Sequence, residues 1–175
     1  MMPFNLMYKY SLLVILTGIL LTACSPASDY PIFRKLEVDD TRVEFKNIIT
    51  ESDSVNVVSF TNIYNGGGIG VADFNKDGFP DLFFTGNMVS CQLYLNRTKN
   101  GKIRFENISE PAGINTDRWA TGVSVADINS DGWPDIYVSV SGSHIKDKRQ
   151  NYLFIHQGLN DDQIPYFKEM AREYG

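Results

Sequence analysis

The chain has 175 residues, with 16 basic and 21 acidic side chains, and a formal net charge of −5 at pH 7. A chain with this acidic balance and no basic stripe lacks the electrostatic footprint of a nucleic-acid-binding surface. Nucleic acid is therefore not expected among its partners.

An apolar, uncharged run occupies residues 11–21, after a segment whose single cation is Lys9. A run this short predicts a signal peptide rather than a membrane-spanning helix. The run ends in Leu21-Thr22-Ala23-Cys24, which resembles a bacterial lipobox. The resemblance implies that the Cys24 thiol receives a diacylglycerol and becomes the mature N-terminus; the alternative is an uncleaved anchor. We expect a signal peptide over residues 1–23 and a lipidated tether over residues 24–40.

The chain has two cysteines in all. If Cys24 carries the lipid, Cys91 is left without a partner, and no intrachain disulfide is expected. Cys91 lies beside a predicted strand, which favours a small core residue over a nucleophile.

One motif occurs twice, 54 residues apart, as VADFNKDGFPDL over residues 71–82 and VADINSDGWPDI over residues 125–136. Each copy places oxygen-bearing side chains at loop positions 1, 3, 5 and 9, and Gly at position 6. Hard cations need several oxygen ligands, and the glycine permits the sharp turn around the ion. We therefore predict two calcium sites. The predicted ligands are the side chains of Asp73, Asn75, Asp77 and Asp81 with the carbonyl of Phe79, and the side chains of Asp127, Asn129, Asp131 and Asp135 with the carbonyl of Trp133.

The EF-hand is the obvious alternative for such a loop, and the flanking residues argue against it. An EF-hand needs Glu at position 12 and a helix on each side. Position 12 is Phe84 in one copy and Val138 in the other, and prolines at position 8 oppose an exiting helix. The flanks are rich in aromatic and β-branched residues, which predicts strands. Each copy is therefore predicted as a strand–calcium loop–strand unit.

The repeat continues beyond the loops. Strand-like segments over residues 92–96 and 105–108 follow the first copy, and segments over residues 152–155 and 167–170 follow the second. Aligning Tyr94 with Tyr152 and Phe105 with Phe167 predicts two insertions of about four residues each. Four short strands per unit is the arrangement of a propeller blade. Residues 45–48 resemble the fourth strand of a preceding unit.

Residues 66–78 (GGGIGVADFNKDG) and the following LFFTGN resemble an FG-GAP/VCBS-type repeat, as in the calcium-loop blades of integrin-α propellers. The pattern is also similar to repeats of bacterial surface lipoproteins that often end in an ASPIC/UnbV module. The resemblance implies that residues 41–175 form all-β propeller blades, with calcium in the loop between the first two strands of each blade.

Propellers close with about four to eight blades, whereas the repeat analysis finds about two blades and part of a preceding one. We expect an incomplete propeller, with an open apolar face at Val138, Leu153 and Phe167 that promotes association. The alternatives are a ring assembled from several chains and a small β-sandwich that is stable alone.

Two function classes follow. The first is a calcium-stabilised binding or scaffold module for protein or glycan, exported and lipid-anchored at a bacterial outer membrane or cell surface. The alternative is part of a polysaccharide-degrading enzyme, which would need converging acid, base or nucleophile groups. No such set is visible outside the two loops, so no catalytic residue is predicted.

Surface or packing roles are favoured over catalysis for His144 and His156, and a repeated structural role is favoured over sugar stacking for Trp133 and Phe79. Trp119 precedes the innermost strand of the second unit, where a ligand contact is the alternative.

Overall fold

The computed structural model describes residues 33–141 and 146–175. The predicted signal peptide, Cys24 and His144 lie outside the described residues. The described secondary structure belongs to one compact unit, Leu36–Gly175. No helix of the described part of the chain is long and apolar enough to cross a membrane.

Eight strands form two separate four-stranded antiparallel sheets, each in the order of the sequence. Blade 1 contains β1 (Ile69–Ala72), β2 (Asp81–Phe84), β3 (Gln92–Asn96) and β4 (Phe105–Asn107). Blade 2 contains β5 (Ala120–Ala126), β6 (Asp135–Val140), β7 (Tyr152–Leu159) and β8 (Pro165–Glu169). One-turn helices span Val38–Thr41 and Ala171–Tyr174, and a 3-10 turn spans Lys146–Arg149. The predicted all-β, blade-like architecture is confirmed, and neither sheet is closed into a ring.

Strand pairing corrects the predicted alignment of the third strands. Leu82 pairs with Tyr94 in blade 1, whereas its equivalent Ile136 pairs with Phe154 in blade 2. The residue equivalent to Tyr94 is therefore Phe154, 60 positions later, and not Tyr152. The predicted equivalence of the fourth strands is confirmed, 62 positions apart, so about six extra residues precede β7 and about two precede β8. A slip of two residues keeps every side chain on its face, so alternation could not reveal the error.

Residues 45–48 were predicted to form a strand, and this prediction is wrong, because no ladder includes them. The segment is held by side chains instead. The Phe45 ring stacks on Phe84 with 5.0 Å between centroids, and Asn47 donates to the Asn87 side-chain oxygen at 2.6 Å. The segment thus covers one face of blade 1 without pairing with it.

The two blades pack through their first strands, where a glycine sets the separation. Gly70 of β1 faces Val123 and Val125 of β5, and a Cβ at Gly70 would lie 3.2 Å from a methyl group of each valine. A backbone hydrogen bond from the Phe167 N–H of β8 to the carbonyl of Ala112, which follows β4, also joins the two halves at 2.9 Å. A single apolar core results, which includes side chains of both blades.

Equivalent positions of the two blades differ in exposure because only one of each pair faces the other blade. Phe83 lies on the face of blade 1 that meets blade 2 and is 0% exposed, whereas its equivalent Tyr137 is 37% exposed. Phe74 is 0% exposed and its equivalent Ile128 is 40% exposed. The face that blade 1 buries against blade 2 is therefore, in blade 2, the face that points away from blade 1.

The predicted open face at Val138, Leu153 and Phe167 is wrong, since all three side chains are buried. Val138 and Phe167 belong to the shared core, whereas Leu153 pairs with Tyr137 and lies on the opposite face of blade 2, so the three side chains do not form one face. Alternation does not say which face meets the neighbouring blade. Among the exposed apolar side chains, Ile69 and Val71 lie on the side of blade 1 away from blade 2, and Ile128 and Tyr137 lie on the side of blade 2 away from blade 1.

The contact between the blades predicts a large difference between two equivalent substitutions. Phe83→Ala should lower the free energy of unfolding by about 3–5 kcal/mol, because it opens a cavity in the shared core. Tyr137→Ala, the matched control, should cost about 1 kcal/mol or less, since its ring is partly solvated. Urea unfolding of both variants measures the difference, and equal losses would contradict the assigned faces.

Candidate functional site: two acidic loops between strands

The two predicted calcium loops, loop 1 (residues 73–81) and loop 2 (residues 127–135), have the same hydrogen-bond pattern. Each first aspartate accepts two backbone N–H groups of its own loop. Asp73 accepts from Asp77 at 3.1 Å and from Gly78 at 2.8 Å. Asp127 accepts from Asp131 at 3.0 Å and from Gly132 at 2.8 Å. The acceptor oxygens are thereby turned toward the inside of each loop.

The third and fifth positions add two more oxygen donors to this inner side. In loop 1, Asn75 Oδ1 accepts the Asp77 N–H at 3.2 Å, and Asp77 Oδ1 accepts the Phe79 N–H at 2.9 Å. In loop 2, the corresponding distances, for Asn129 and Asp131, are 3.1 and 2.8 Å. The same N–H, that of the fifth residue, contacts both the first and the third side chain, so these two side chains lie next to each other.

The turn has left-handed backbone at the fourth and sixth positions of each loop. Gly78 has φ 88° and Gly132 has φ 85°, a region that favours glycine. Lys76 and Ser130 adopt φ of 58° and 62° although they carry a Cβ. The loop hydrogen bonds on either side hold these two residues in place.

The aspartate at the ninth position ends each loop and is buried. Asp81 accepts the Phe74 N–H at 2.8 Å on one oxygen and the Asn96 N–H at 2.7 Å on the other. Asp135 makes the equivalent pair, from Ile128 and His156, each at 2.8 Å. Each carboxylate thus ties the start of its loop to the third strand of its blade.

Burial raises the pKa of Asp81 to about 6, although the Asn96 and Phe74 N–H groups oppose the shift. The nearby carboxylates of Asp77 and Asp73 raise it further. The pKa of Asp131 is lowered, first by the Trp133 N–H and then by the Asn129 amide. Neither ion pair given for the described residues includes a loop carboxylate, and the charge of Lys76 contributes to lowering the pKa of Asp131.

The donor set fits a hard cation in its chemistry, because carboxylate and amide oxygens line the inside of each loop. In the described residues, no three His, Cys, Asp or Glu side chains form a group that could hold a metal by themselves. Asn75 and Asn129, together with backbone carbonyls, would have to complete the coordination. An oxygen that accepts one N–H keeps a second lone pair, so Asp81 and Asp135 remain available as ligands. Phe79 and Trp133 occupy the same turn position, and their carbonyls remain predicted ligands.

Sequence reasoning missed a set of side chains that joins loop 1 to blade 2. Lys76 Nζ lies 3.7 Å from the centroid of the Trp133 ring, and the His156 ring stacks on Trp133. His156 is buried, so of the predicted surface or packing roles the structure shows packing. The contact of Lys76 with Trp133 crosses between the repeats, and a comparison of one repeat with the other cannot reveal it.

The remaining candidates have packing contacts. Trp119 packs edge-on against Phe60, with ring centroids 5.0 Å apart. Cys91 is buried, and its burial raises the pKa of the thiol, which disfavours the thiolate that a nucleophile needs.

Comparison with known proteins places the family signal on this part of the chain. Residues 73–138, from the start of loop 1 to β6, match the family model of the FG-GAP-like repeat. The chain is also 34% identical over 67 residues to cartilage acidic protein 1 of Mus musculus. That similarity covers 38% of this chain and 10% of the relative, so the chain spans only a small part of that protein. The matched segment contains both loops, so residues 73–138 of this two-bladed chain are an FG-GAP-like repeat segment.

Proposed function

We propose that the chain is a calcium-stabilised, β-propeller-like binding module of an exported bacterial lipoprotein, and that it presents a surface to a protein or glycan ligand. The observation that carries the proposal is the identical hydrogen-bond pattern of the two acidic loops. Several carboxylates held close together in both loops are best explained by a cation that neutralises them.

A binding role is favoured over catalysis by the way the reactive side chains are used. His156 and Cys91 are buried, and Trp133 packs against His156 of its own blade and Lys76 of loop 1. The acidic side chains that are close together belong to the loops, where their proposed role is to hold ions. The anchoring part of the proposal rests on the sequence alone, through the apolar run and Cys24.

Calcium should stabilise the folded protein. Calcium at 100 times its dissociation constant should add about 2.7 kcal/mol for each site to the free energy of unfolding, because it binds only the native state. Chelation should therefore lower the melting temperature, and calcium should restore it. Asp77→Asn should remove about half of this gain, whereas Asp161→Asn, outside both loops, should leave it unchanged. Identical melting curves in chelator and in excess calcium would overturn the proposed sites.

The raised pKa of Asp81 predicts an unusual pH dependence for the calcium-free protein. The native carboxyl keeps its proton up to about pH 6, whereas its ordinary pKa is 3.8. Its contribution to stability is therefore present below about pH 4 and is lost as the pH rises through about 6. The loss is at most about 3 kcal/mol, from 1.36 kcal/mol per pKa unit.

Urea unfolding of the wild-type chain and of Asp81→Asn, in chelator at acidic and neutral pH, measures this contribution. The stability difference between the two proteins should change in favour of the variant as the pH rises. Calcium should reverse the trend, since a bound cation favours the ionised carboxylate. A difference that does not change with pH would show that Asp81 is ionised throughout.

The lipid anchor is tested at the two cysteines. Growth with a labelled fatty acid should mark the wild-type chain and the Cys91→Ser control, and Cys24→Ser should lose both the label and membrane retention. Stable retention fits several acyl chains, since a single chain holds only marginally. A Cys24→Ser protein that still sediments with membranes would indicate an uncleaved helix instead.

A further inference from the structure

His156 of β7 lies between the two acidic loops and is 2% exposed. Its ring stacks on Trp133 of loop 2, with centroids 4.5 Å apart and planes at 12°. On another side, the ring meets the edge of Phe167, with centroids 4.8 Å apart. Because two aromatic rings and burial restrict it, the imidazole has a defined orientation.

The hydrogen bonds of His156 define which nitrogen carries the proton. The Gly158 N–H donates to Nδ1 at 2.8 Å, so Nδ1 is the acceptor. Nε2 then carries the hydrogen and donates it to the carbonyl of Phe74 in loop 1, at 2.9 Å. Phe74 lies between two predicted ligands, Asp73 and Asn75, and its ring also packs edge-on against Phe167, with centroids 5.8 Å apart.

Hydrogen bonds to Phe74 and His156 therefore connect the two buried carboxylates through these two residues. Asp81 accepts the Phe74 N–H at 2.8 Å, and the Phe74 carbonyl accepts from the His156 ring. The His156 backbone N–H then donates to Asp135 at 2.8 Å, and Asp135 accepts the N–H of Ile128 in loop 2. Both loops are thus anchored to one residue, through its side chain on one side and its backbone on the other.

The equivalent residue of blade 1 is Asn96, which makes the same backbone bond but a different side-chain contact. The Asn96 N–H donates to Asp81, whereas its side-chain amide donates to the Pro80 carbonyl of its own loop, at 2.9 Å. The bridge from one blade to the other is therefore a property of the histidine and is not required by the repeat.

We propose that His156 couples the two loops, so that an ion bound in one loop strengthens ion binding in the other. The inference rests on the proposed calcium sites. An ion in loop 2 restricts Asp135 and Trp133, which restrict His156 and, through it, Phe74 in loop 1. Loop 1 then loses less conformational freedom when it binds its own ion, and the effect is reciprocal by linkage. Two cations repel each other through space, so positive coupling requires such a mechanical connection.

The test follows calcium binding to each loop separately in the full chain. The amide resonances of Gly78 and Gly132 report on loop 1 and loop 2, since each N–H donates to the first aspartate of its loop. Asp127→Asn weakens loop 2 alone. In a chain with His156, this change should weaken calcium binding at Gly78 by about fivefold or more, the lower end of typical coupling between sites.

Two substitutions of the histidine separate its hydrogen bond from its stacking. His156→Phe keeps an aromatic ring against Trp133 and Phe167 but removes the bond to Phe74. In this background Asp127→Asn should leave the affinity at Gly78 unchanged. His156→Gln restores an amide donor and should recover part of the effect. If Asp127→Asn leaves the affinity at Gly78 unchanged in a chain with His156, the coupling is overturned without any histidine variant.

Three outcomes are distinguishable. A loss of affinity at Gly78 that disappears in His156→Phe supports the coupling. If both glycines respond to calcium but Asp127→Asn does not affect Gly78, or affects it equally in His156→Phe, the coupling is overturned while the calcium sites stand. If neither glycine responds to calcium, the proposed sites fail, and the coupling is overturned with them.

Discussion

The fold of each blade depends on one buried carboxylate, Asp81 in blade 1 and Asp135 in blade 2. A carboxylate removed from water needs compensation on both oxygens, and two backbone N–H groups supply it here. One N–H comes from the second residue of the loop and the other from the third strand. The loop, the hairpin and the next strand are therefore fixed relative to one another by a single side chain. An apolar residue at this position would leave two buried N–H groups without acceptors, which explains the need for an acid there.

The same repeat produces two different environments because the blades are stacked side by side. Gly70 lets β1 approach β5, and the valines of β5 fill the space that a larger residue would occupy. On the face of blade 1 that meets blade 2, Phe83 is thereby buried, while its equivalent in blade 2, Tyr137, is partly exposed. Exposure in a repeat protein thus depends on the neighbour as much as on the residue.

Much of the architecture could be predicted from local sequence, and the reasons are physical. Gly at the sixth position, alternating oxygen donors and β-branched flanks each act within a few residues, so the strand–loop–strand units and the four strands of each blade were predictable. The offset of β7 was not, because a shift of two residues keeps the same side chains inward. The prediction of a strand at residues 45–48 was wrong for a related reason. The Phe45 ring stacks on Phe84, and an apolar side chain can pack in this way without its backbone joining a sheet.

The long-range contacts of the site lay beyond prediction from one sequence. Nothing near His156 in the chain indicates that its ring reaches the Phe74 carbonyl, 82 positions away. Lys76 has Ser130 as its equivalent in the second copy, so its contact with Trp133 is absent from the repeat pattern. These differences between the copies join loops that the repeat alone would leave independent. A duplicated loop supplies two similar sites, and the residues that break the duplication decide whether the sites act together.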